Sequence, residues 1–196
     1  MQTQFNISPE IFEKCSNFAK ASVDSSSDKY ARRNQFNVEK IIQDIRNGKI
    51  GEEGVHSLLL EKLPNLNSPD HNIYDKFNKS WDPDLKDEKS NISIAVKSQN
   101  ISSAIEFGES WVFQFNEGKN YDCDNGIFKE IDDKHYVAFV ALNVPKRKGE
   151  IKAIVKVQWL HDKKLFKAMQ KQNLRGNKVA VYFDDLELFK DELFQL

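Results

Sequence analysis

Asp84 follows Pro83, and a short spacer later the chain runs Ile92-Ser93-Ile94-Ala95-Val96-Lys97-Ser98-Gln99. Side chains on a strand alternate between faces, so Ile92, Ile94 and Val96 fall on one side and Ser93, Ala95, Lys97 and Gln99 on the other. A carboxylate can hold a hard cation, and a lysine ammonium can position a water or offset charge on a phosphate. Together these are the parts of metal-assisted phosphodiester cleavage. Asp84 is the expected metal ligand, for Mg2+ or Mn2+, and Lys97 the expected catalytic cation. Asp82 competes for the ligand role but has no proline before it. The plain alternative for Asp84 is turn chemistry, which Asp-Pro-Asp favours.

Other oxygen donors are available. Glu52 precedes Val55 and Leu59 at helical spacings, so it borders a buried stripe and is expected to assist catalysis and bind the metal. Glu53 precedes no such series. Either glutamate could instead be favourable charge in a first helical turn. Gln99, Glu106 and Glu109 are further donors, with a surface role as the alternative. His56, His71, His135 and His161 are scattered, and no Ser/His/Asp or Cys/His grouping accompanies them.

An aspartate after proline, a strand ending in a lysine, and a preceding helix with Gly51-Glu52-Glu53 resemble the PD-(D/E)XK nuclease superfamily, which includes type II restriction enzymes. The likeness spans roughly residues 41–115. It implies a Mg2+-dependent DNA endonuclease of the restriction-endonuclease-like fold, a central mixed β-sheet flanked by helices. It also implies DNA as partner and a homodimer where both strands are cut. The superfamily carries Asp or Glu two residues before its lysine, whereas this chain has Ala95. Two readings follow: a carboxylate supplied from elsewhere, or a catalytically inactive nuclease-fold module that binds nucleic acid or a protein partner. The stretch from Ser98-Gln99 to Ser110-Trp111-Val112-Phe113-Gln114 is similar to part of one subgroup of nuclease-like proteins. Trp111 and Phe113 share a face, as core aromatics or as base-stacking platforms.

Lys163, Lys164, Lys167, Lys171 and Arg175 lie in and after an expected helix over residues 161–172, with Leu165, Phe166 and Met169 between them. That basic face is a candidate phosphate-contacting surface, or a solvated helix face. The formal net charge of −1 places any nucleic-acid contact on local patches, the basic turn Lys146-Arg147-Lys148-Gly149 among them.

The elements that must position these groups can be traced along the chain. Ser8-Pro9-Glu10 starts a helix with Ile11, Phe12, Cys15, Phe18 and Ala19 on one side. The polar residues 24–28 read as a loop. Asn37 caps a second helix, which Gly48 is expected to interrupt or end, and a third runs from residue 50 to Leu63 before Pro64. Strands are expected at residues 73–77, 92–99, 111–115, 135–142, 151–159 and 178–183, with a short helix at 104–108. The pair 135–142 and 151–159 should be antiparallel. The fold class is therefore α/β, with α+β as the neighbouring possibility.

The 196 residues suit one domain, 1–196, in which 1–47 form an N-terminal helical extension. Cys15 and Cys123 have neither disulfide-framework nor zinc spacing, so a reducing, cytoplasmic setting is expected. No apolar run approaches the ~20 residues of a membrane span. No Walker loop or dinucleotide fingerprint occurs, so no nucleotide cofactor is expected.

Overall fold

The structure is a computed structural model that describes residues 2–31, 36–74, 83–114, 132–170 and 178–196, with side chains of 24–31 set aside. Helix α1 (Pro9–Ala31) begins at Ser8, whose Oγ accepts the Ile11 N–H at 3.2 Å. Helix α2 (Val38–Leu59) begins at Asn37, whose side chain accepts the Lys40 N–H at 3.0 Å. Both caps satisfy amides that a helix start leaves without a partner.

Five strands, β1 (Gln4–Asn6), β2 (Leu85–Asp87), β3 (Ile92–Asn100), β5 (His135–Asn143) and β6 (Lys148–Lys156), form a mixed sheet in the order β1-β6-β5-β3-β2. β3 and β5 are parallel; the other neighbours are antiparallel, including the expected β5–β6 pair. A second sheet, β4-β8-β7, comprises β4 (Ser110–Gln114), β7 (Lys167–Ala168) and β8 (Lys178–Tyr182). Short helices α3 (Ile101–Phe107), α4 (Val157–Asp162) and α5 (Phe183–Glu187) link or follow the strands. The architecture is mixed α and β. Among the described residues no helix is long and apolar enough to cross a membrane.

Alternation on the five-stranded sheet builds two cores. Ile94 and Val96 of β3 and Ala138, Val140 and Leu142 of β5 join Ile50, Val55 and Leu59 of α2. Val137 and Phe139 on the opposite face join Trp111 and Phe113 of β4, Val181 of β8 and Leu160 of α4. A bulge at the Phe139–Val140 step leaves Lys152 as the extra residue. It reverses the phase of β6, so that Ile151 and Ile154 face the first core while Ala153 and Val155 face the second.

Several local expectations are corrected. α1 runs through residues 24–28, where a loop was expected; each Ser or Asp costs only a few tenths of a kcal/mol in an established helix. α2 is one helix through Gly48, whose cost of about 1 kcal/mol relative to alanine a long packed helix absorbs, and two of its other glycines serve packing. A Cβ on Gly51 would strike the Ser98 hydroxyl of β3, and one on Gly54 would overlap the Phe5 ring, which Gly149 also accommodates. The expected strand 151–159 stops at Lys156, and Val157 opens α4. The expected helix 161–172 is absent over 163–170. There Lys163 closes α4, Lys164 turns with φ 54°, and β7 pairs with β8, which buries Leu165 and Met169. Residues 73 and 74 are not in a strand, and 75–77 lie outside the described residues.

Gly54 gives a test of this packing. Alanine would gain about 1 kcal/mol of helix propensity, yet the Phe5 ring would have to leave its seat and forfeit burial of about 1.5–3 kcal/mol. Gly54→Ala should therefore lower urea-unfolding stability in the wild type and leave it unchanged or raised in a Phe5→Ala background. Equal losses in both backgrounds would contradict the seating of Phe5.

Candidate functional site

β2 accompanies β3 only as far as Ile94, which faces Leu85. Beyond that point, among the described residues, the edge of β3 has no strand beside it. Asp84, just before β2, meets this edge: its Oδ2 accepts the Val96 N–H at 2.7 Å, as a neighbouring strand's carbonyl would. The β2–β3 turn behind it is fixed by Asp87, only 2 % exposed, whose Oδ1 accepts from the Ser90 backbone and hydroxyl.

α2 supplies the next group. With Gly51 against β3, Glu52 is carried toward the same edge and is 7 % exposed. Burial, then the charge of Asp84, pushes its carboxyl up to about 8 against the opposing influence of Lys49, whose Nζ lies 2.6 Å from Oε2. Glu53 turns toward α1. Its Oε1 meets Lys14 Nζ at 2.7 Å and His71 Nε2 at 2.8 Å. Burial raises Glu53, but the hydrogen bonds and charges of Lys14 and His71 together outweigh it and leave the carboxyl below its ordinary value. Glu53 is thus no solvated bystander, as its spacing suggested, but a link between α1, α2 and residue 71. Cys15 beside this link is fully buried, and burial with the Glu53 charge pushes its thiol up to about 12.

Lys97 projects from the other face of β3, paired in register with Phe139, and its Nζ lies 5.2 Å from the Phe113 ring centroid. It lines a cleft of about 450 Å³ between α2 and β4, with Asn47, Ser98, Asn100, Trp111 and Tyr182 among the walls. Asn47 Oδ1, Ser98 Oγ and Asn100 Oδ1 are buried there without a hydrogen-bond partner. Alternation from β3 identifies Lys97, but these three were not singled out. The available signal was Asn47 one helical turn before Gly51, on the face that approaches β3.

Glu52 thus lies on the α2 side of β3, within reach of the Asp84 charge, whereas Lys97 projects from the opposite face of the strand, so the two carboxyls and the lysine do not share one face. Gln99 is already committed: its amide nitrogen donates to Gly108 O and its oxygen accepts the Ser110 N–H, each at 2.9 Å. Glu106 and Glu109 line a separate hollow with Tyr182, and Glu109 lies 3.7 Å from Lys152. Ala95 shares the Lys97 face, opposite Val137. Asp82 lies outside the described residues.

Among the described residues no group of three or more His, Cys, Asp or Glu side chains is arranged to hold a metal ion. A cation here would rest on Glu52, Asp84 and water. That set suits Mg2+, which takes one or two carboxylates and keeps several waters. Burial raises Glu52 most, and the Asp84 charge, which adds to it, is what a divalent cation would offset.

The basic residues do not share one helical face. Lys163 Nζ lies 3.3 Å from Glu192 and over the Phe189 ring at 4.4 Å; Lys167 Nζ lies 2.6 Å from Asp185. Lys164 is at the turn between them, and Lys171 and Arg175 lie outside the described residues. Trp111, 1 % exposed, donates its indole N–H to Val140 O at 3.0 Å, and Phe113 is fully buried, so both are core aromatics.

A raised carboxyl stabilises the fold in its protonated form. Its contribution is fully present below the ordinary 4.5 and is lost as pH rises through about 8. Stability of the wild type in urea should therefore fall more between pH 5 and pH 9 than that of Glu52→Gln. Parallel pH profiles would contradict the assigned burial and repulsion.

No family model, curated protein or solved structure matches this chain.

Proposed function

We propose that the chain is a Mg2+-dependent DNA endonuclease with a restriction-endonuclease-like fold, acting as a homodimer where both strands are cut. The observation that supports this reading is Asp84 bonded to the edge of β3 at Val96, where no described strand lies beside it, with the buried Glu52 within reach of its charge and Lys97 of the same strand lining the adjoining cleft. A bound divalent cation would supply an activated water and neutralise charge on the phosphate. Asp84, with Oδ2 engaged by Val96, keeps its other oxygen for this task. Glu52 holds a proton at neutral pH and yields it when positive charge arrives. Lys97 offsets the charge that grows on the phosphate.

A second reading is an inactive nuclease-fold module that binds nucleic acid or a protein. Ala95, which adds no ligand to the Lys97 face, favours it. Incubating the protein with supercoiled plasmid and with single-stranded DNA, in Mg2+ and in Mn2+, separates the two. The enzyme reading predicts metal-dependent cleavage that falls by about 10²-fold or more in Asp84→Asn and in Lys97→Ala. Asparagine can still accept the Val96 N–H, so Asp84→Asn should keep its stability, whereas Asp84→Ala should lose about 1–3 kcal/mol. Full cleavage by Asp84→Asn would refute the catalytic role. Salt-sensitive DNA binding without cleavage by the wild type would establish the second reading.

A further inference from the structure

Phe12 of α1 carries two guanidiniums over its ring. The Cζ of Arg46, on α2, is 4.8 Å from the ring centroid, and that of Arg147, in the β5–β6 turn, is 3.7 Å away. One cation over an aromatic ring is ordinary packing. Two like charges sharing a ring repel each other, and among the described residues neither has a carboxylate partner. Burial and then the Arg147 charge act against the charge on Arg46. Arg46 Nε is buried with no hydrogen-bond partner.

The backbone adds a second, independent sign. Arg147 has φ 54°, a left-handed conformation that asparagine or glycine adopts more readily than a long side chain. The turn is clamped on both sides: Arg147 N donates to Val144 O at 3.0 Å, and Arg147 O accepts the Ile7 N–H at 2.9 Å. Its direction is therefore fixed toward Phe12 and Arg46. Lys146 and Lys148 flank it on the same exposed turn.

We propose that Arg46 and Arg147, gathered over Phe12, bind a phosphate of a nucleic-acid backbone. A phosphodiester presents two anionic oxygens, which the planar forks of two arginines can engage while the added negative charge cancels their repulsion. The inference rests on the nucleic-acid reading above for the source of the phosphate, and on Phe12, Arg46 and Arg147 for the site itself.

The test uses the full chain in an Asp84→Asn background, which separates binding from cleavage. Binding of a labelled duplex is followed from low to moderate salt for this protein, Arg147→Gln, Arg147→Lys and, as a remote charge control, the exposed Lys190→Gln. In parallel, melting is compared in inorganic phosphate and in chloride of equal ionic strength. Arg147→Gln should weaken duplex binding and reduce the slope of log K against log salt by about one. Arg147→Lys should restore the slope in part, Lys190→Gln should leave it unchanged, and phosphate should raise the melting temperature more before Arg147→Gln than after. An unchanged slope in Arg147→Gln, an equal loss in Lys190→Gln, or a duplex that does not bind would overturn the proposal. Phosphate stabilisation with no change in duplex binding would overturn the nucleic-acid source. Loss of the slope in a protein whose wild type cuts no DNA would uphold the site and remove only the catalytic reading.

Discussion

A buried backbone N–H without a strand partner must find another acceptor or cost about 1–3 kcal/mol, and at Val96 that acceptor is the Asp84 carboxylate. Much follows from this one bond. It holds Asp84 at the point where β2 stops accompanying β3, fixing a negative charge beside the strand edge. The same edge lies beneath α2 because Gly51 brings that helix onto Ser98 and Val96. Glu52, the next residue, is then buried, and the nearby Asp84 charge adds to that burial against the pull of Lys49. A structural bond and a charged site thus share one side chain.

Among the described residues, β3 has no strand beside it past Ile94 on that side and is supported on the other. β5 pairs with it in parallel from Ser93 to Asn100. The bulge opposite Phe139–Val140 lets β6 feed both cores, so the five-stranded sheet is packed on its two faces by different partners. α1 and α2 cover one face. The β4-β8-β7 sheet covers the other and, through Gln99, is tied to the far end of β3. A cleft remains between these layers, at the end of β3 that carries Lys97, Ser98 and Asn100.

Much of this was legible in the sequence where a local pattern has one physical meaning. Asn37 and Ser8 start helices because their side chains bond free amides, and the alternation of residues 92–99 places Lys97 opposite Val96. The phase of α2 singles out Glu52 over Glu53 as the carboxylate toward the sheet. What could not be read depended on distant partners. Gly51 and Gly54 show no purpose until β3 and Phe5 are seen against them, and Gly48, which faces open space, looks like a helix end although α2 runs through it. Lys163, Lys164 and Lys167 suggest a helical face until Leu165 turns into the second core and Met169 into the cleft wall. Glu53 looks solvated until Lys14 and His71 reach it. Nothing local announces that Arg46 and Arg147 converge on Phe12.

The central claim is that Glu52 holds a proton beside Asp84 and that the two side chains can take up a cation. Calorimetric titration of Mg2+ at pH 7, in two buffers of different ionisation enthalpy, tests it most directly. The account predicts binding with release of up to about one proton in the wild type and no proton release in Glu52→Gln. Mg2+ binding without proton release, or no binding at millimolar Mg2+, would contradict it.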